Sequence, residues 1–507
     1  MWPDRLDEIS ASSTLARVVW CLTLALLLAL FVFLHAMGVS QGELPLDDAG
    51  TWGVATRSLG TVFTLPTEFH SQPPLYYLVL HFLAKVSDAY WVLRGLSFVC
   101  CLGLVAFVLF RAHELNLLSR VAFSLLFMSG ELGDYLSTSV RPYGMAALLV
   151  TISFVVFTRL LGEPSRRLVV AHALVTLAAL YTNAFVFTIL PLQAAWLLGT
   201  YAVYTRLHGR RPAFERFRAS LIGMAAVVVG TIPYLAMAWH YQSKVYAAAA
   251  SASRYHGPLR PEVYWFAIRD FFLFPRYQLW LVIGLVAVGL AVRVAHKKWD
   301  ALLWLCMGVT QIAFIWSFVN GRSLLWFQTK YMIAAYLAIC FLAAVAFAHL
   351  PRLACRGIWL VVPIAVGWLA YGQYGKFSAF FAHARPLGYF QEFHKTLTEQ
   401  PGKKVVFFDI GYDGQHLEYQ VRRDRDIVVA TMRGSGWASG GDNHLDADYV
   451  ARVIDGSWGA TRCFYYVVAA PAGPYQRIFI PRMRQYGYAQ KRTFPVAARP
   501  TAEFCRP

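Results

Sequence analysis

The chain has 507 residues, 58% hydrophobic and 15% charged, with 46 Lys or Arg against 28 Asp or Glu and a net charge of +18. Mean hydropathy is +0.47, which excludes an ordinary string of soluble domains and identifies a polytopic α-helical membrane protein. The basic excess does not point to nucleic acid: no such motif is present, and basic turns between apolar segments set topology and meet anionic membrane lipid.

Apolar runs close to the length that crosses a hydrocarbon core recur near 17–38, 91–110, 117–134, 142–161, 168–184, 186–204, 219–239, 278–294, 301–319, 331–350 and 357–374. They predict about 11 spans, within a range of roughly 10 to 13. The first run is long and lacks a small-residue cleavage site, so it reads as a retained helix and not a signal peptide. The run from Pro74 to Val86 is too short to span comfortably and reads as an interfacial or partly inserted helix. With that choice, the clusters Arg111 and Arg120; Arg159, Arg166 and Arg167; Arg206 to Arg218; Arg293, Lys297 and Lys298; and Arg352 and Arg356 fall on one side. By the positive-inside rule that side is the cytoplasm. The N-terminus is then cytoplasmic, and 40–73, 135–141, 240–277, 320–330 and everything after about 375 are external.

Directly after the first run stands Leu44-Pro45-Leu46-Asp47-Asp48-Ala49-Gly50-Thr51-Trp52. Adjacent carboxylates at a membrane rim cost free energy unless they are solvated, paired or used. Two readings stand, a solvated cap on the helix or a pair that does chemistry. The following stretch, Ala49 to Leu59, is amphipathic and predicts a helix along the interface with Trp52 and Phe63 at headgroup level.

After Tyr374 the character changes: residues 375–507 carry 18 Lys or Arg and 12 Asp or Glu, and no run long enough to span. This predicts a second, water-soluble domain. Strands are expected at 405–409, 426–430 and 463–468 and helices at 413–421, 447–455 and 474–486, a small α/β unit with a mainly parallel sheet. The glycine-rich segment 433–444 carries Trp437, which could stack on a sugar, or is a plain surface loop; it lacks the spacing of a dinucleotide loop. His416 and His444 read as surface residues. Cys21, Cys100, Cys101, Cys306 and Cys340 lie in apolar spans as small core residues, and Cys355 at a cytoplasmic end. Cys463 and Cys505 are both in the external tail, where a disulfide is permitted.

The order of these features carries a resemblance. The acidic pair, then Pro73-Pro74-Leu75-Tyr76-Tyr77-Leu78, then Val92-Leu93-Arg94-Gly95-Leu96-Ser97, then Ser137-Thr138-Ser139-Val140-Arg141-Pro142-Tyr143, then Leu180-Tyr181-Thr182-Asn183, resembles the GT-C glycosyltransferases. Within them it is most similar to bacterial relatives of protein O-mannosyltransferases and of the lipid A aminoarabinose transferase. The match is best over 40–205; later only hydropathy and Lys330-Tyr331 resemble the group. It implies a bacterial inner-membrane enzyme that transfers a sugar, with inversion, from a polyprenyl-phosphate donor to a lipid, glycan or protein acceptor on the periplasmic face. Residues 1–374 are then the transferase domain, and 375–507 a periplasmic α/β domain that helps bind the acceptor.

The family's catalytic aspartate falls on Asp47, with Asp48 as its acidic partner. A carboxylate at the water–lipid boundary can take the acceptor proton, and cations must meet the charge on the leaving phosphate. Arg141 and Lys330 are the candidates, with Arg57 a further one; Gln72, Tyr143 and Asn183 supply supporting polar groups. Several positions depart from the family pattern: Ser139 replaces a frequent Glu, Gln72 and Asn183 replace histidines, Lys330 replaces the usual Arg, and Asp48 stands where Glu is common. Glu131 and Asp134, three residues apart and so on one helix face, could supply the missing carboxylate. No cofactor is required by the resemblance; a divalent cation held by Asp47, Asp48, Glu131 and Asp134 is left open. The competing readings are a lipid-linked-glycan flippase, which should carry charges inside its spans, and a scaffold without activity.

Overall fold

The computed structural model describes residues 46–70, 72–112, 117–249, 276–296, 299–322, 329–349, 388–408, 426–431, 461–467, 479–496 and 499–506, with a few isolated positions besides. The span expected at 357–374, the helix at 447–455, the loop 433–444, and Cys21, Cys355, His416 and His444 lie outside the described residues, as do the span 17–38 and the helix 413–421 but for isolated positions such as His35.

The chain is mostly helical. In order, α1 is Leu46–Ala55, α2 Leu59–His70, α3 Leu75–Val86, α4 Tyr90–Arg111, α5 Leu117–Ser129, α6 Glu131–Thr138, α7 Tyr143–Gly162 and α8 Arg166–Leu180. A 3-10 turn, Ala184–Thr188, leads into α9 Ile189–His208, followed by α10 Arg210–Ala249, α11 Arg276–Ala295 and α12 Asp300–Arg322. A second 3-10 turn, Thr329–Tyr331, precedes α13 Ile333–His349. Among the described residues, four segments are long and apolar enough to cross a membrane: Tyr90–Arg111, Tyr143–Gly162, Ala184–His208 and Arg210–His240.

α13 is apolar on all sides, the pattern of a helix enclosed by others. Residues 332–338 and 340–346 are buried, and the helix packs against α5, α11 and α12. The run expected at 117–134 is two helices, because the chain breaks at Gly130, which is extended. The amphipathic stretch after the acidic pair is also different from expectation. Residues 48–55 are all buried, Trp52 included, so α1 is an interior helix and not a surface one. Its apolar side packs in a cluster with Tyr76, Tyr77, Leu80, Leu93 and Val140.

The two ends of the bundle differ. At one end Arg120 donates to the carbonyls of Leu109 and Leu115, Arg159 to that of Arg111, and Arg216 to that of Gly162. These bonds bring three of the arginine-rich turns together, as the alternation of spans requires. Arg141 and Tyr143 lie at the opposite end of α7, about 30 Å away for 20 residues at 1.5 Å each. The crossing there is close: a Cβ on Gly144 would lie 2.5 Å from the Leu136 carbonyl oxygen and 3.1 Å from that of Ser97.

Near the C-terminus, α14 Gly388–Thr398 precedes strands β1 Lys403–Phe408, β2 Ile427–Thr431 and β3 Thr461–Val467, helix α15 Ile480–Gln485, and strands β4 Ala489–Val496 and β5 Arg499–Cys505. The five strands form one sheet in the order β2-β1-β3-β5-β4. β1 runs parallel to β2 and β3, whereas β5 is antiparallel to both β3 and β4. The sheet is therefore mixed and not mainly parallel. The hairpin β4–β5 has no clear sequence signal because β4 is an edge strand, largely exposed and carrying Lys491, Arg492 and Pro495, which discourage further pairing.

Cys463 stands opposite Cys505 on β3 and β5, and the two form a disulfide. Beside them the buried Glu503 accepts from Gln400 at 3.0 Å and pairs with Arg492. Burial pushes its carboxyl up, but the bonds from Gln400, Arg492 and Tyr465 outweigh that and hold it below the usual carboxylate range.

The close crossing at Gly144 yields a test. Gly144→Ala drives a methyl group into two backbone carbonyls and should destabilise the chain by about 1–3 kcal/mol. The expected result is a lower melting temperature of the purified chain in detergent, whereas Gly162→Ala, whose Cβ meets nothing within 4 Å, should leave it nearly unchanged.

Candidate active site

The acidic helix and the arginine linker meet at the end of the bundle opposite the basic turns. In α1, Asp48, Thr51, Trp52 and Ala55 are spaced so that they share one face, and all four are buried. Asp47 occupies the first turn of the same helix; its side chain, like that of Glu131, lies outside the described set.

Arg141 reaches α1 from the linker 139–142 between α6 and α7. Pro142 disfavours helical backbone at the residue before it, which ends α6 and starts α7 afresh. The guanidinium donates from Nη1 to the Thr51 hydroxyl at 3.0 Å and from Nη2 to the Tyr143 hydroxyl at 3.4 Å. It lies 5.6 Å from the centre of the Tyr143 ring and is only 6% exposed. Asp48 is one turn before Thr51 on the same helix face. Asp48 also lies near enough to Tyr76 on α3 to act on it electrostatically.

The second expected cation joins through aromatic rings. Lys330 lies 5.8 Å from the centre of the Tyr135 ring and 5.9 Å from that of Tyr331. Tyr143 is in ring contact with both, at 6.0 Å from Tyr135 and 6.5 Å from Tyr331. Arg141 and Lys330 therefore stand on one continuous tyrosine wall, each placed where the negative face of a ring attracts a cation.

Gln72 and Asn183 both bond to the turn that precedes α9. Gln72 accepts from the Ala184 amide at 3.3 Å, and Asn183 accepts from the Phe185 amide at 2.8 Å, so the two side chains together cap the turn Ala184–Thr188. Phe185 then stacks on Tyr331 with ring centres 4.3 Å apart. Ser139 is buried in the arginine linker, and its hydroxyl has no partner among the described residues.

Other expected residues are placed apart. Arg57 is exposed and follows the C-terminal end of α1, about 13 Å of helical rise from Asp48. Asp134 lies on α6 as expected, but its carboxylate faces the fully buried His35, 3.0 Å away. His35 belongs to the first apolar run and carried no local signal; a single histidine in such a run gives no hint of its partner. Thr51 and Tyr135 were also absent from the expected set, although Thr51 stands at i+3 from Asp48, where a helix brings side chains together. Among the described residues, the one group of three potential metal ligands is Cys463, Glu503 and Cys505 in the sheet, with both sulfurs in the disulfide.

Beside this site runs an apolar groove of about 430 Å³, lined by Phe63, Pro74, Leu78, Tyr181, Pro233 and Tyr234 among others. One wall of it is α3, whose other side buries Tyr76 and Tyr77.

The fold has solved counterparts. The chain is similar to ArnT from Cupriavidus metallidurans in the apo state, with a TM-score of 0.64 at 15% identity over 96% of this chain and 98% of that one. It is also similar to the same protein bound to undecaprenyl phosphate, with a TM-score of 0.62 at 13% identity over 97% and 98%. At such identities the likeness is one of fold, and it extends over almost the whole chain. No protein-family model and no curated protein sequence matches.

The bond between α1 and Arg141 can be tested directly. Thr51→Val keeps the side chain's volume but removes the acceptor, leaving a buried guanidinium with one partner fewer. The expected loss is about 1–3 kcal/mol, seen as a lower melting temperature in detergent. Arg57→Ala, at an exposed position, should stay within about 0.5 kcal/mol of the intact chain.

Proposed function

We propose that this chain is an inverting GT-C-type glycosyltransferase of the bacterial inner membrane. It moves a sugar from a polyprenyl-phosphate carrier to a lipid, glycan or protein acceptor of the envelope, on the periplasmic side. The observation that carries the reading is the meeting of the acidic helix with Arg141 at Thr51, beside a second cation on the same tyrosine wall. That arrangement sits on a fold shared with ArnT, one of whose structures holds undecaprenyl phosphate.

The chemistry follows from the charges. The acceptor's nucleophilic oxygen forms a bond to the anomeric carbon from the face opposite the carrier. The bond from that carbon to the carrier phosphate breaks, and its electrons leave with the phosphate. Asp47 takes the proton that the acceptor loses, and Asp48 is its acidic partner. Arg141 and Lys330 meet the charge that grows on the phosphate, where donors held in a buried site act strongly because they need no reorientation. Gln72 and Asn183 hold the turn that presents Phe185 to Tyr331, and Tyr143 orients Arg141. The apolar groove along α3 is the shape and polarity that a prenyl chain needs. A divalent cation at the carboxylates remains compatible with the residue types, with Asp134 engaged by His35.

Residues 1–374 form the transferase domain in this reading, and 375–507 stand on the periplasmic side and take part in acceptor binding. The basic turns gathered at the other end of the bundle support that orientation by the positive-inside rule.

Two experiments decide the proposal. Envelope glycans are compared by mass spectrometry in cells with the intact chain, with Asp47→Asn, or without the gene. One sugar's mass should be lost equally from the last two, while Asp47→Asn chain accumulates normally in the membrane; full transfer by that variant removes Asp47 from its role. A reporter active only in the periplasm, fused after residue 374, should be active, and a cytoplasmic result would overturn the topology and the side of the reaction.

A further inference from the structure

An α-helix leaves its last four carbonyls without partners inside the helix. In α1 these belong to Trp52, Gly53, Val54 and Ala55. The Thr56 amide donates to the Trp52 carbonyl at 2.9 Å, and its hydroxyl lies 3.0 Å from that oxygen and 3.3 Å from the oxygen of Gly53. The Arg57 amide donates to Val54 at 3.2 Å. The fourth carbonyl is reached from another helix: His81 Nδ1, on α3, lies 2.7 Å from the Ala55 oxygen. A carbonyl has no proton to give, so Nδ1 carries the hydrogen and donates it. The ring is 5% exposed, and its Nε2 has no partner among the described residues. The bond to Ala55 is thus the polar contact that fixes this side chain.

α3 holds the cationic half as well. The Ser97 hydroxyl donates to the backbone carbonyl of Arg141 at 3.2 Å. That uses its one proton, so in the 3.2 Å contact between Ser97 and Tyr76 the tyrosine is the donor. Tyr76 is five residues before His81 on α3. One short helix therefore touches the end of the acidic helix directly and the backbone of Arg141 through a single serine.

We propose that His81 is a positioning residue for the transfer, setting α1, and with it Asp47 and Asp48, at a fixed distance from Arg141. The proposal rests on the transferase reading of those residues. Without the Nδ1 donor the buried Ala55 carbonyl has no side-chain partner among the described residues, and the last turn of α1 moves or frays to find one. The Tyr76–Ser97–Arg141 connection stays in place, so the acidic half shifts against the cationic half. A misplacement of about 1 Å at a reacting centre costs on the order of 100-fold in rate.

The test uses the full chain with His81→Phe, which keeps a ring and loses the donor, and His81→Asn, whose amide nitrogen can take the place of Nδ1. Hydrogen exchange of the purified chain in detergent reads the geometry, and envelope glycan analysis of cells carrying each variant reads the reaction. In His81→Phe, exchange should rise at least about tenfold over 52–55 and stay unchanged in α7, and transfer should fall about 10- to 100-fold. Binding of undecaprenyl phosphate should remain within about twofold, because the cations are untouched. His81→Asn should restore most of both losses.

Unchanged exchange in α1, unchanged transfer in His81→Phe, or exchange that rises equally in α7 would each overturn the proposal, the last because it marks general unfolding. An intact chain that transfers nothing overturns the transferase reading and the role of His81 within it. That outcome is distinct from failure of the proposal alone, in which the intact chain and His81→Phe transfer equally well.

Discussion

A guanidinium enclosed by helices sets the terms for one end of this bundle. Taking such a charge out of water costs several kcal/mol unless every part of it is met by dipoles, rings or opposite charge. Arg141 is met by a threonine from α1, a tyrosine hydroxyl and a tyrosine ring from α7. The threonine and the tyrosine come from different helices, so the demand of one side chain ties α1 to the start of α7. The close crossing at Gly144 follows from the same constraint, since α7 must begin against α4 and α6 for Tyr143 to be in place.

The tyrosine wall extends that arrangement to the far part of the sequence. Tyr135 and Tyr143 come from adjacent helices, whereas Lys330 and Tyr331 come from the turn before α13, nearly two hundred residues on by the numbering. Rings suit this task because they present a broad apolar body to the bundle and a negative face to a cation. Gln72 and Asn183 bear on the wall only through backbone, by capping the turn that carries Phe185. That use accounts for amides at these two positions without requiring either to touch a substrate.

Much of the architecture was legible in the residues. Apolar runs located the helices from α4 to α13, because a span in lipid must be both long and apolar. Three of the basic turns are bonded to one another at one end of the bundle, and Cys463 and Cys505 are cross-strand neighbours. Two features misled. Trp52 looked interfacial, yet α1 is enclosed, since amphipathic spacing gives the apolar side of a helix but not whether protein also covers its polar side. The sheet looked mainly parallel because β4, charged and carrying Pro495, has none of the alternation that marks a strand.

The sequence by itself determined a mostly helical protein of the membrane type, and it singled out the acidic pair, Arg141 and Lys330, of which Arg141 and Lys330 stand against one run of tyrosine rings. Those conclusions rest on local properties: hydropathy, charge and motif order within short stretches. Tertiary structure alone decided that Thr51 joins the acid side to Arg141, that His35 faces Asp134, that Arg57 stands apart, and that His81 closes the end of α1. These are contacts between residues tens of positions apart, and a buried polar group finds its partner by packing geometry, which no local pattern encodes.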